Sequence, residues 1–125
     1  MNRFVLTAAA SVGLSVGLAA PAPAAGTWAA IASSPTEHNW SAAWGPLTKN
    51  QAEQKAVRQC DADAHVTDCL VVASSAGCVA AARGISISSF GVGSTAQEAE
   101  ANAQSRSAGG PTDLMSYCST DKPSL

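Results

Sequence analysis

The chain reads as an α+β domain made of one ββαβ unit used twice. It should hold an antiparallel-dominated sheet, two helices and disulfide ties. Three observations predict this. Two helix starts with the same cap chemistry, Thr48 and Thr95, stand 47 residues apart. Each is preceded by two short extended segments and followed by a third. Four cysteines, Cys60, Cys69, Cys78 and Cys118, all follow a stretch with the anatomy of a secretory leader.

The leader comes first. Arg3 gives a short positive start, residues 4–20 are an apolar run, and Ala22-Pro23-Ala24 supplies the small residues of a cleavage site. Cleavage after Ala24 leaves residues 25–125. An uncleaved anchor suits the run less well, since it is rich in Ala, Gly and Ser and gives way to Pro21 and Pro23. No cysteine stands at the cleavage site and no Arg-Arg pair precedes the run. The general secretory route is therefore expected, to the envelope or the outside, with no membrane span once the leader is gone.

Repeat one occupies residues 27–77. Strands are expected at 28–33 and 39–44, split by the turn formers Ser34-Pro35-Thr36. Thr48 with Gln51 forms a capping box, and the helix runs over 49–60 with a stripe of Ala52, Ala56 and Cys60. A strand at 69–73 closes the unit. Ser74-Ser75-Ala76-Gly77 reads as a hairpin turn into repeat two, residues 78–118. Strands are expected there at 78–82 and 85–92, around Arg83-Gly84. Thr95 with Glu98 repeats the capping box, and the helix runs over 96–107 with a stripe of Ala96, Ala99 and Ala103. Gly109-Gly110 stops it, and a strand at 114–118 follows. The tail, residues 119–125, is polar, contains Pro123 and is expected to be loose. One six-stranded sheet and two abutting sheets both fit this pattern.

Bulk is scarce. The large apolar residues after the leader are mainly Trp28, Ile31, Trp40, Trp44, Leu70, Val71, Val72, Ile85, Ile87, Phe90 and Tyr117, and alanine fills much of the rest. A small domain with such a core leans on its crosslinks. Lys and Arg number 7 against 9 Asp and Glu, a net charge of −2, with no basic cluster. Nucleic acid and anionic lipid are therefore not expected partners.

Several features carry a resemblance. Trp28-Ala29-Ala30-Ile31-Ala32 is followed by a tryptophan strand ending Trp44-Gly45, then a capped Ala/Glu helix reaching Cys60. Asp68-Cys69-Leu70-Val71-Val72 and Ala76-Gly77-Cys78-Val79-Ala80 come next, and a weaker copy ends Tyr117-Cys118-Ser119. In order and spacing this resembles the bacterial secreted family known as domain of unknown function 4189, from Trp28 to Ser119. The resemblance implies a small exported protein and transfers no catalytic residue. It also implies a difference between the halves. The family commonly repeats the helix-end and strand-start cysteines, where this chain has Ser107 and Asp113 or Leu114. The second helix should be the looser one.

Four cysteines allow three pairings. Cys60–Cys69 with Cys78–Cys118 is favoured: the first closes the return from helix to strand, the second ties the outer strands of repeat two. Cys60–Cys78 with Cys69–Cys118 stays open, and a Cys69–Cys78 bond would force Cys60 onto Cys118. The cysteine spacing fits no zinc ribbon or finger, and no metal or other cofactor is expected.

Residues 61–68 gather Asp61, Asp63, Asp68 and His65. A calcium loop would need Gly where Val66 stands and Glu where Val72 stands, so a solvated acidic loop is the simpler reading. His38 and His65 are the only histidines, and neither lies in a recognisable triad or zinc-protease motif. Gly91-Val92-Gly93 lacks the rest of a phosphate loop and reads as a strand-to-helix turn. No enzyme is expected.

Trp40 and Trp44 remain as candidate partner-binding residues. Four apart on a strand, they share a face about 13 Å along. That face is either an aromatic platform or core laid on the alanine stripe of the first helix. The expected function is a small, secreted, non-catalytic, monomeric domain that binds an envelope glycan or a protein. The alternative is an inhibitor or modulator of an extracellular enzyme; a cell-wall hydrolase is a more distant third.

Overall fold

The structure, a computed structural model, describes residues 26–84, 87–107 and 113–122. The expected leader, Ile85, Gly109-Gly110 and Pro123 lie outside the described residues. The elements are β1 (Trp28–Ser33), β2 (Trp40–Gly45), α1 (Lys49–Ala64), β3 (Leu70–Ser75), β4 (Cys78–Arg83), β5 (Ser88–Gly93), α2 (Ala96–Ser105) and β6 (Asp113–Cys118). Each half is ββαβ.

Two antiparallel three-stranded sheets form, in the orders β2-β1-β3 and β5-β4-β6. The register repeats between them: Trp28 opposes Gly45 as Cys78 opposes Gly93. The expected hairpin at residues 74–77 is corrected. β3 and β4 belong to different sheets, so Ala76-Gly77 crosses from one layer to the next. The crossing is tight: a Cβ on Gly77 would lie 2.6 Å from the Gly93 carbonyl oxygen.

The central strands explain the alanines. Ala29, Ala30, Ile31 and Ala32 of β1 are fully buried, as are Val79, Ala80 and Ala82 of β4. A strand covered on both faces needs side chains small enough for a helix on one side and a sheet on the other. Ala30, Ala32 and Ala43 pack on Ala52, Ala56 and Cys60 of α1, while Ala80 and Ala82 pack on Ala99 and Ala103 of α2. Between the sheets lie Ala29, Ile31, Ala73, Val79 and Ala81. The layers are therefore α1, sheet, sheet, α2. β1 faces β4, β2 meets β6 and β3 meets β5.

The helices depart from expectation at their ends. Thr48 and Gln51 form the full capping box. In α2, Thr95 accepts from the Glu98 N–H, but the Glu98 carboxylate reaches past it to the backbone N–H (2.6 Å) and hydroxyl (2.9 Å) of Ser94. Those two donors, the backbone one foremost, hold the Glu98 pKa below its usual value. α1 runs one turn beyond Cys60, to Ala64, and ends at His65 in the left-handed region (φ 56°). The turn persists because its aspartates have partners off the helix. Asp61 accepts from the Cys69 N–H and Asp63 from the Ser41 hydroxyl. α2 stops at Ser105, short of the expected Ser107.

The disulfides are Cys60–Cys69 and Cys78–Cys118, the favoured pairs. The second ties the first and last strands of repeat two, as expected from the sequence; in the sheet these are the central strand β4 and the edge strand β6, joined at directly opposed positions. Gly91 and Gly93 are not the expected turn. They lie in β5, where a Cβ on Gly91 would come 2.7 Å from the Ala99 carbonyl oxygen and one on Gly93 2.7 Å from the Ala99 nitrogen. They let α2 press against the sheet.

The start of the tail is held in place, unlike the loose segment its composition suggested. Ser119 is buried, its N–H donates to the Gly77 carbonyl and its hydroxyl to that of Ala76.

Candidate functional site

Alternation along β2 decides where the tryptophans go. Ser41, Ala43 and Gly45 are buried on the α1 side, so Trp40, Ala42 and Trp44 turn the other way, into the gap between the sheets. The expected alternative, tryptophans lying on the alanine stripe of α1, is thereby corrected. At the β2 position that meets the α1 stripe stands Ala43, which lets helix and sheet approach closely, whereas Trp40 and Trp44 fall in the gap between two facing sheets, about 10 Å wide. Trp28, one strand over, packs on the α1 side instead, with the Lys49 ammonium 5.9 Å from its ring.

Trp40 and Trp44 form one wall of a groove of about 500 Å³ where β2 meets β6. Tyr117 and Met115 of β6 line it from the second sheet, and Gln59, Asp63 and Arg83 stand around it. Trp44 stacks on Tyr117 with centroids 4.9 Å apart, and Trp40 meets Tyr117 edge-on at 6.1 Å. Phe90 closes behind Trp40 at 6.4 Å. The Arg83 guanidinium lies over the Trp40 ring at 5.9 Å. The Trp44 indole N–H donates to the Lys122 carbonyl, which holds Lys122 beside the groove. Both tryptophans are half-buried, while Met115 is 43% exposed. Burial raises the Tyr117 pKa above 10.0, and the charge of Arg83 pulls it partly back.

The other candidate features separate. Asp61 and Asp63 lie in α1, and Asp68 accepts from the hydroxyls of Ser34 and Thr36, each at 2.7 Å. Those bonds, Thr36 first, lower the Asp68 pKa and brace the turn between β1 and β2. Among the described residues no group of three or more His, Cys, Asp or Glu side chains is placed to hold a metal ion. His38 and His65 are exposed and occupy left-handed positions, at the β1–β2 turn and the end of α1. No described helix is long and apolar enough to cross a membrane.

A family model described as "Domain of unknown function (DUF4189)" matches residues 28–119. The chain belongs to this family. The DUF4189 match spans both repeats, both disulfides and the whole groove. Comparison with curated proteins and with solved structures returned no match.

Of the groove of this DUF4189 domain, only Trp40 and Trp44 were singled out from the sequence as binding residues. Tyr117, Met115, Arg83, Gln59 and Asp63 were not. The alternation of small and large residues in Trp40-Ser41-Ala42-Ala43-Trp44-Gly45 was the available signal. It marks two unlike faces but not which element covers each.

Proposed function

We propose that this DUF4189 chain is a non-catalytic domain acting outside the cytoplasm, and that its inter-sheet groove seats a glycan of the cell envelope. One observation carries the reading: a concave site of about 500 Å³ that combines the aromatic side chains of Trp40, Trp44 and Tyr117 with Gln59, Asp63 and Arg83. That volume is typical of small-ligand sites rather than of flat protein interfaces. Indole and phenol groups contact the apolar faces of sugar rings, and amide, carboxylate and guanidinium groups bond their hydroxyls. These groups recognise by contact and hydrogen bonding and need transfer no proton. The leader-like start and the two disulfides support action in an oxidising compartment.

The test is co-sedimentation of the oxidised protein with insoluble envelope polysaccharide, against Arg83→Ala and Met115→Asp variants. Binding by the wild type that both substitutions weaken supports the reading. Binding only to secreted proteins, or binding indifferent to both, overturns it.

The Ser34–Asn39 backbone hydrogen bond and the Asp68 brace favour a second reading, inhibition of an extracellular enzyme. Pro35, Thr36, Glu37 and His38 are exposed on a turn held beside a disulfide, the form in which a rigid loop enters a protease cleft. Inhibition of a secreted protease, lost in Asp68→Ala, would favour it.

A further inference from the structure

The far edge of the first sheet carries a separate surface. Among the described residues β3 pairs with β1 on one side only, so its other side turns backbone donors and acceptors outward. Its sequence, Leu70-Val71-Val72-Ala73-Ser74-Ser75, has no charge and no proline, the usual means of blunting an edge. Leu70 is 64% exposed, and Val71 and Val72 are each 39% exposed. A bulge makes the patch continuous. Ile31 opposes Ala73 but Ala32 opposes Val71, so Val72 is the extra residue and Val71 swings to the α1 side. There it lines a hollow of about 340 Å³ with Val57, Gln54, Glu53 and Arg58 of α1. On the other side Ile87, 55% exposed, shares a hollow with Ser33, the strand partner of Leu70.

An open strand edge is satisfied by another extended strand, and an apolar patch along it marks a contact surface. Charge selects the occupant. Glu53 and Arg58 both border the hollow, with Gln54 and Val57 between them. A twofold axis that sets two α1 helices antiparallel brings Glu53 of each copy to Arg58 of the other, while the two β3 edges pair antiparallel. One surface then complements itself, as a twofold dimer requires. We propose that a second copy of this chain docks on β3, forming a six-stranded sheet across the dimer with the α1 helices side by side. This departs from the monomer expected from the sequence, whose pattern did not reveal that β3 is an uncovered edge. β2, which walls the groove, is the opposite edge of the same sheet, so the groove stays open.

Sedimentation equilibrium of the oxidised protein over a concentration series tests the proposal. The wild type is expected to dimerise. Val71→Lys and Arg58→Glu should each raise the dissociation constant roughly tenfold or more. The double reversal Glu53→Arg, Arg58→Glu should bring it back toward the wild-type value. Arg58 is exposed on the helix, so its variant keeps the test usable if Val71→Lys misfolds. A monomer at every concentration, or a dimer indifferent to both single substitutions, overturns it. Because the groove lies elsewhere, either result leaves glycan binding to be judged separately.

Discussion

The two repeats share a topology and differ in how each helix is held. In repeat one the helix has 16 residues, a complete capping box and a covalent tie from Cys60 to Cys69. In repeat two it has 10 residues and no tie. Its grip is closeness: Gly91 and Gly93 admit α2 against β5, and two side chains reach across to that strand. Asn102 donates to the Val92 carbonyl and Arg106 to that of Phe90. One contact survives in both halves. The Ser74 hydroxyl donates to Glu53, and the Ser116 hydroxyl to Glu100, each at 2.7 Å. The lesson is that a duplicated unit keeps its polar register while replacing one means of attachment by another. The tryptophan wall belongs to repeat one alone: the places of Trp40 and Trp44 are taken in β5 by Ser88 and Val92. The groove is therefore a departure from the internal symmetry.

The largest effects should come from the disulfides. On the chain-entropy argument, the separation of 40 between Cys78 and Cys118 gives about 4 kcal/mol, and that of 9 between Cys60 and Cys69 about 2.5–3 kcal/mol. Replacing Cys78 and Cys118 by Ala should cost more in urea unfolding than replacing Cys60 and Cys69. The latter change should also speed hydrogen exchange in the last turn of α1. Equal loss of protection along both helices would break the comparison.

Next comes the glycine contact. Ala43 in β2 and Gly91 in β5 hold equivalent positions in the two sheets. Alanine is accepted at 43, yet Gly91→Ala should destabilise by about 1–3 kcal/mol through overpacking against α2. Ala43→Gly should cost only about 0.5–1 kcal/mol. Thermal unfolding of both variants checks this, and a neutral Gly91→Ala would refute the close approach. The shared polar contacts should be matched: Ser74→Ala and Ser116→Ala should each cost about 1–2 kcal/mol and agree within error.

The smallest effects concern pH. Tyr117 is the only tyrosine, so the tyrosinate absorbance reads it alone. Its folded pKa lies above 10.0, so the stability it contributes is complete below the unfolded value and lost as pH rises through the folded one. Tyr117→Phe should remove that alkaline step. Asp68 and Glu98 are depressed, so their contributions hold above the unfolded carboxylate range and fade as pH falls through the folded values. Carboxylate titration by NMR should place both midpoints below those of the unfolded chain.

Much of this fold was legible. Thr48 and Thr95 marked the helix starts, and alternating and apolar runs marked the strands. Cys60 and Cys69, flanking a short return, pointed to their bond. What escaped depends on contacts between distant segments. Period two in β2 separates its faces but cannot say that the second sheet covers one of them. Nothing local distinguishes one sheet of six strands from two of three. The last turn of α1 escaped because Asp61 and Asp63 read as loop formers until their partners, the Cys69 N–H and the Ser41 hydroxyl, are in place. The glycines of β5 read as a turn because the helix that requires them is packed onto them, not adjacent in that run.

The measurement that tests the central claim most directly is a titration of soluble envelope glycan fragments, followed through the three indole N–H resonances by NMR. Trp28 lies on the α1 side, away from the groove, and serves as the internal control. The account predicts that the Trp40 and Trp44 signals shift together and saturate, while the Trp28 signal stays in place. Saturable binding that moves Trp28, or that leaves Trp40 and Trp44 unmoved, would contradict it.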